Sequence, residues 1–391
     1  MRAKIETRVA TTFDDIEIFR QAWGQMQAHP NSDIDAYLIN VRALENILMP
    51  YVMLLLVDDQ PTSILIGRLE ETRVEYKMGF KTLRGPRLRQ LVVIYQGFLG
   101  DTSAESASCF MTEIRKRMAS EQIDAVFFYA LQVESELYKA ANRAAGILTR
   151  DHGTKLAEHW KTILPPEGIE GMLQNISSKH RYWLRRLPKV LEKDFPGQVV
   201  YRRFSEPAEV EQLSGDCEKV ASKTYHRAAG AGFKDSPLWR RKFSLWANKH
   251  SLRGHVLYIN NEPCAFWLGN LYGETLHLDF TGYLSEYKKY ELGTILFLKM
   301  IEDAIASGAR ELDYGLGALW YKERFGGESW TEASIYLFAP TFKGISANLT
   351  RTGISKAAEL LKWLLDKAGA TTNLKNKWRD ILSAKSRGGL K

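Results

Sequence analysis

The residues of this chain best suited to chemistry lie between His277 and Gly326. His277, Asp279 and Thr281 alternate with Leu276, Leu278 and Phe280, so in a strand the two sets point to opposite faces. A buried, unpaired charge is costly, so a strand with such a polar face is expected to look onto a cleft. There, Asp279 is a candidate base or amine-binding carboxylate. His277 is an alternative base, because imidazole titrates near neutral pH. A polar turn containing Lys288 then leads to Gly293 and Thr294, which open an apolar helical run. The free N–H groups and dipole of a helix start favour an anion, so Lys288, Gly293 and Thr294 form a candidate phosphate site. A second short strand ends in Asp313, Tyr314 and Gly315 and is followed by ALWYKERFGG, which carries Trp320, Tyr321 and Lys322.

These groups need a scaffold of strand, turn, helix, strand and short helix. The pattern predicts a strand over 276–282, a helix from Gly293, a strand over 311–314 and a helix over 319–325. Upstream, Ile169 to Lys193 reads as a basic helical segment that Pro188 interrupts, with Lys179, Arg181, Arg185 and Arg186 on one face. Helices are also expected over 207–227 and 237–249. Between them AAGAGF, 228–233, is a loop by its glycines and alanines. Tyr225 and His226 beside it are candidate acceptor-lid residues.

The same pattern occurs earlier in the chain. Met53-Leu-Leu-Leu-Val-Asp-Asp-Gln-Pro61 and His255-Val-Leu-Tyr-Ile-Asn-Asn-Glu-Pro263 both read as a strand, a polar turn and a returning strand. The offset of 202 residues also matches Gly67 with Gly269 and Leu69 with Leu271. By the same offset the third strands align as 72–77 and 274–279. Helix, strand and short helix follow in both halves. The chain therefore reads as α+β, with two similar domains over 1–164 and 165–339. Each has a mixed, mostly antiparallel twisted sheet flanked by helices. A basic tail over 340–391 follows. In it, Ile354, Ala357, Ala358, Leu361, Leu364, Leu365 and Ala368 line one helical face. That face is expected to cover part of the second domain. The alternative is a membrane or partner contact.

The second half resembles the GNAT N-acyltransferases, whose glycine-rich turn receives the CoA pyrophosphate and whose later helix carries a tyrosine. Ala318, Tyr321, Phe325 and Gly326 correspond to that helix, with the last two in reversed order. The tandem arrangement resembles the CelD-like (cellulose-biosynthesis) acetyltransferases and the Fem-type peptidoglycan aminoacyltransferases. The residues that carry this likeness are Ser177 and Arg181, then Tyr283, Tyr287, Tyr290 and Gly293. Asp313-Tyr314-Gly315, Tyr321 and Lys322 complete it.

The resemblance implies transfer of an acyl group from acyl-CoA, acetyl-CoA first, to an amine or hydroxyl. The acceptor would be a sugar, an amino acid or a cell-envelope or polysaccharide precursor. Tyr321 would be the general acid that protonates the leaving thiolate. Arg181 would face an acidic group of the acceptor, and Tyr314 and Trp320 would wall the cleft. Asp313 would hold Lys322 or a loop amide, or orient substrate. The glycine turn departs from the family pattern, because Glu291 stands where a glycine is usual. That leaves a Fem-type, aminoacyl-tRNA-dependent transferase and a non-catalytic scaffold as alternative readings.

Composition narrows the partners. The formal net charge is +8, and the stretch 340–391 holds eleven Lys or Arg against three Asp or Glu. The tail therefore carries the whole excess. The rest is near neutral, so nucleic acid is not an expected partner unless the donor is a charged tRNA. Three cysteines at irregular spacing suit a reducing compartment and no metal site. The N-terminus has no signal-peptide pattern, so a cytoplasmic location is expected, at most peripheral to the inner membrane.

Overall fold

The computed structural model describes residues 4–78, 81–174, 176–224, 227, 232–317, 325 and 327–367. Its strands are β1 (Ile5–Ala10), β2 (Ile47–Val57), β3 (Gln60–Met78), β4 (Lys81–Gly100), β5 (Ala125–Gln132), β6 (Lys155–Ile163), β7 (Val199–Phe204), β8 (Leu252–Ile259), β9 (Glu262–Tyr272), β10 (Thr275–Tyr283), β11 (Glu311–Leu316) and β12 (Glu328–Phe338). The α-helices are α1 (Phe13–Met26), α2 (Ile34–Ala43), α3 (Ala104–Ser120), α4 (Glu136–Ala144), α5 (Ile169–Gln174), α6 (Ser178–Asp194), α7 (Val210–Ala221), α8 (Pro237–Asn248), α9 (Leu292–Ala306) and α10 (Phe342–Lys367). They form two compact units. The first comprises 4–157 and 330–367 of the described residues, the second 158–329.

The two units share one topology. In the first, β1, β2, β3 and β4 are antiparallel neighbours, β5 is parallel to β4, and β12 closes the row antiparallel to β5. In the second, β7 to β10 are antiparallel, β11 is parallel to β10, and β6 pairs antiparallel with β11. The single parallel step in each requires a crossover, which α3 and α9 supply. The last strand of each unit comes from the opposite half of the sequence. The sequence reading kept 155–163 with the first half, but hydrogen bonding to β11 assigns most of β6 to the second unit.

The repeat seen in the sequence has a structural cause. Asp58 and Asp59 have φ of 49° and 61°, and Asn260 and Asn261 have φ of 55° and 64°. Left-handed pairs of this kind form the two-residue turn whose twist matches that of a hairpin, and Asn and Asp tolerate it. Gly67 and Gly269 also correspond. A Cβ on Gly269 would lie 2.6 Å from the His277 carbonyl oxygen, and one on Gly67 2.9 Å from that of Val92. Each glycine lets the next strand approach closely.

Other expectations need correction. Residues 72–77 are not a third strand but the extension of β3, which with β4 forms a long hairpin peculiar to the first unit. The offset of 202 therefore fails beyond Leu69. Pro188 does not break its segment: α6 runs through it and buries Leu184, Leu187 and Leu191. Burial of that apolar row outweighs the one backbone bond proline removes. The helix expected over 207–227 is shorter, with a 3₁₀ turn at Pro207–Glu209 and α7 ending at Ala221. The short helix over 319–325 falls largely outside the described residues.

The tail helix also differs from its expected role. α10 packs on the first unit through Ala347 and Ile354. The Asn348 amide donates to the carbonyls of Leu148 and Arg150, both at 2.8 Å, and Arg351 pairs with Asp151 at 3.1 Å. Leu361 and Leu364, expected to cover the second domain, are exposed. The Leu365 side chain and Ala368 lie outside the described residues. No helix among the described residues is long and apolar enough to cross a membrane.

Candidate functional site

The second unit builds its site where two parallel strands part. β10 and β11 pair only over Thr275 to His277 against Glu311 to Asp313. Against β9, Leu278 pairs with Gly269 and Phe280 with Leu268, so Asp279 is the extra residue of a bulge. Leu276 lies in the core, and Leu278 and Phe280 pack against it. The alternation expected for this strand therefore holds on the apolar side. β11 has its own bulge at Tyr314, whose ring is buried against Phe297. Each bulge falls just past the last residue pair, so the ladder between the two strands ends there.

Asp313 is the charged centre of this region. One carboxylate oxygen accepts from the His159 Nε2–H and the Gly315 amide, both at 2.7 Å. The other lies 3.4 Å from His277 Nδ1. Burial alone would raise its pKa. The hydrogen bonds and charges of His159 and His277 outweigh burial and hold it far below the usual aspartate range. An ionised carboxylate only accepts, so His277 Nδ1 carries the proton on the side facing Asp313. Gly315 has φ of +68°, which turns its amide back onto the aspartate. His159 was missed at the sequence level, because a lone histidine in a short strand carries no signal of its partner across the sheet.

Asp279 has a different environment. Water reaches its side chain, yet the surrounding protein displaces enough solvent to raise its carboxyl above the usual range. Both observations fit a carboxylate on the floor of a recess rather than in packed core. The charges of Lys242 and His277 oppose the rise and that of Asp313 adds to it. Lys242 on α8 is 7% exposed, with its ammonium 4.1 Å from the Trp239 ring centre and 5.3 Å from that of Trp246. Burial lowers its pKa and the Asp279 charge opposes that. The sequence signal for Lys242 is a lysine between tryptophans at helical spacing, Trp239, Lys242 and Trp246. Replacing it with methionine keeps the stem and removes the charge. Lys242→Met should move the acid limb of the rate profile to higher pH, because Asp279 loses a stabilising cation. An unmoved limb would separate the two groups functionally.

The helix start lies at the end of the same strand. After a 3₁₀ turn at Ser285–Tyr290, Glu291 takes φ of 49° and α9 begins. The amides of Thr294 and Ile295 donate to the Glu291 carbonyl, at 2.8 and 3.1 Å. Trp267 Nε1–H anchors the turn on the Gly293 carbonyl at 2.9 Å. A Cβ on Gly293 would meet only Tyr283, at 3.5 Å, so packing alone does not demand glycine. Lys288 is exposed and pairs with no carboxylate among the described residues, whereas Lys289 pairs with Asp194.

Glu291 occupies a left-handed backbone position at this helix start. Its carboxylate accepts from Trp183 Nε1–H at 3.2 Å and from the Thr294 hydroxyl at 3.4 Å. Left-handed backbone costs a non-glycine residue about 1–2 kcal/mol. Glu291→Gly should therefore fold at least as stably as the parent and bind an anionic donor severalfold more tightly. Weaker donor binding would show instead that the Trp183–Glu291–Thr294 bonds shape the site.

The corresponding helix start of the first unit is already occupied by its own side chains. Ser103 caps α3 by accepting from the Ser106 amide. Asp101 accepts from the Ser103 amide and from the hydroxyls of Ser103 and Ser106. Asp101 thus lies beside this helix start, as the Glu291 carboxylate lies beside that of α9.

Arg181 is held by its own segment, donating to the Gln174 carbonyl at 2.9 Å and the Ser178 hydroxyl at 3.3 Å. Trp320, Tyr321, Lys322, Tyr225 and His226 lie outside the described residues. The structure thus brings together Asp313, His277, Tyr314 and Gly315, with Asp279 next in the strand. Lys288, Gly293 and Thr294 follow at its end.

Residues 178–323 match the family model of the acetyltransferase (GNAT) domain. No curated protein matches the chain by sequence. Among solved structures, the crystal structure of FemX superposes with a TM-score of 0.53 at 10% identity, covering 84% of this chain and 96% of that one. A tandem GNAT protein from the clavulanic acid biosynthesis pathway gives 0.44 at 9% identity, with 85% and 98% covered. L-PGS from Bacillus licheniformis gives 0.43 at 13% identity, with 76% and 86% covered. The fold is α+β in two compact units of one topology, and the segment that matches the GNAT model lies in the second.

Proposed function

We propose that the second unit is an N-acyltransferase that moves an acyl group, acetyl first, from acyl-CoA to an amine or hydroxyl of a small-molecule or glycan-precursor acceptor. The observation that carries this reading is the end of the β10–β11 ladder at His277 and Asp313, followed by bulged Asp279 and, at the end of β10, by a helix start beside exposed Lys288. An extended thioester arm can lie where two parallel strands part. The helix start with Lys288 suits the pyrophosphate. Asp279, with its raised pKa, is the group that takes the proton of the acceptor. His277, oriented by Asp313, is the alternative base. Tyr321 protonates the leaving thiolate. Trp320, Lys322, Arg181 and Tyr225 serve acceptor binding, following the family resemblance. The first unit, which lies outside the matched segment, has a structural role.

The test is release of free CoA thiol from acetyl-CoA with amino-sugar, amino-acid and polyamine acceptors. Acceptor-dependent release above the background of thioester hydrolysis supports the reading. Absence of release across these acceptors, with no acetyl-CoA binding, overturns it in favour of a tRNA-borne donor or a scaffold.

A further inference from the structure

The outer face of α10 is apolar although the helix is already anchored on its inner face. Ala347, Asn348, Arg351 and Ile354 hold the inner side against the first unit. On the outer side Phe342 is 91% exposed, Leu349 57%, Leu360 58% and Leu364 50%. These four recur at whole-turn spacings and share one stripe along the 26-residue helix. Leu361 and Trp363 flank its C-terminal end and are half exposed. This stripe differs from the one read in the sequence, because the inner face took Ile354 and left the leucines outside.

Single exposed apolar residues are ordinary, but a set on one helix face, with Phe342 at one end and Trp363 near the other, marks an interaction surface. The charges around it are mainly positive. Lys367 sits 4.2 Å above the Trp363 ring, and Lys356 lies between Trp363 and Leu360 around the helix. Lys356 and Glu359 pair at 2.8 Å and cancel, so the net positive charge beside the stripe comes from Lys367 and from the sequence beyond the helix. Beyond the helix the sequence adds six Lys or Arg and one Asp over 368–391. We propose that this outer face of α10 is a membrane-surface site, which lays Phe342, Leu349, Leu360, Trp363 and Leu364 into the headgroup region of an anionic bilayer. An interfacial helix is held by its buried apolar stripe together with the attraction of flanking basic residues to acidic lipid. The tryptophan under a lysine suits the boundary, where the ring is buried and the ammonium stays with phosphate. A protein partner would be the competing occupant, but the excess of positive charge around the stripe matches acidic headgroups. This surface is independent of acyl transfer and goes beyond it.

The experiment is flotation of the full chain with vesicles of phosphatidylcholine alone or mixed with phosphatidylglycerol, at low and high salt. A Leu360→Glu/Leu364→Glu variant is run in parallel. Both positions are exposed, so the variant should keep the parent's circular dichroism and melting temperature. The expected result is flotation only with phosphatidylglycerol, weakened by salt and lowered at least tenfold in the variant. Flotation unchanged by the variant would leave only non-specific charge and overturn the stripe's role. No flotation at low salt overturns the proposal outright. Stripe-dependent self-association in sedimentation, without vesicle binding, would assign the face to a second copy and also overturn it.

Discussion

Asp279→Asn should lower turnover at neutral pH by roughly a hundredfold or more, the usual scale for removing a general base. The substitution keeps shape and removes only the ability to take a proton. Water reaches the side chain, so no buried bond is lost and the fold should survive. The pH profile gives a sharper check. A base works only as the carboxylate, and the loss of solvent to the surrounding protein has raised the pKa of this one. Activity of the parent should therefore fall as pH drops through a value above the ordinary aspartate range, and Asp279→Asn should lose that limb. A loss that appears only as a higher acceptor KM would make Asp279 an amine-binding residue. His277, oriented by Asp313, would then be the base.

Tyr321→Phe should cost a similar factor, about a hundredfold or more in kcat, with donor and acceptor affinities nearly kept. Only one hydroxyl is removed, and the ring can pack as before. The leaving thiolate would then depart without a proton from the enzyme. A more acidic leaving thiol needs that proton less, so an activated aryl thioester should restore much of the lost rate. An unchanged rate with acetyl-CoA would mean that water protonates the thiolate. Comparable losses in kcat and in melting temperature would indicate a packing role instead.

Much of this arrangement was legible in the sequence because its signals are local. The Asp58-Asp59 and Asn260-Asn261 pairs announce their hairpins, since few residues accept a left-handed turn. Leu276, Leu278 and Phe280 announce their face by alternation. The strand exchange was not legible. Alternation tells which face a strand buries but not which neighbour it pairs with, so β6 read as part of the first half. The bulge at Asp279 has no signature either, because an inserted residue looks like one more member of the pattern. His159 and Lys242 depend on partners far along the chain, Asp313 and Asp279, which only the packed sheet brings near. The tail was misread for a related reason. Its apolar residues fit two overlapping stripes, and the anchors Asn348 and Arg351 select the inner one through polar bonds that hydrophobic spacing ignores.

The central claim is that the start of α9 receives the phosphates of an acyl-CoA, and thermal stability against acetyl-CoA concentration tests it most directly. A ligand that binds only the folded chain raises its melting temperature with concentration. The parent should show such a rise, and Gly293→Ala should keep most of it, because a Cβ there meets only Tyr283 at ordinary contact distance. Gly293→Glu should abolish it while the unliganded melting temperature stays close to the parent's, since a carboxylate would then stand where the pyrophosphate belongs. A parent that shows no shift at millimolar acetyl-CoA, or a Gly293→Glu variant that shifts as the parent does, would contradict the account.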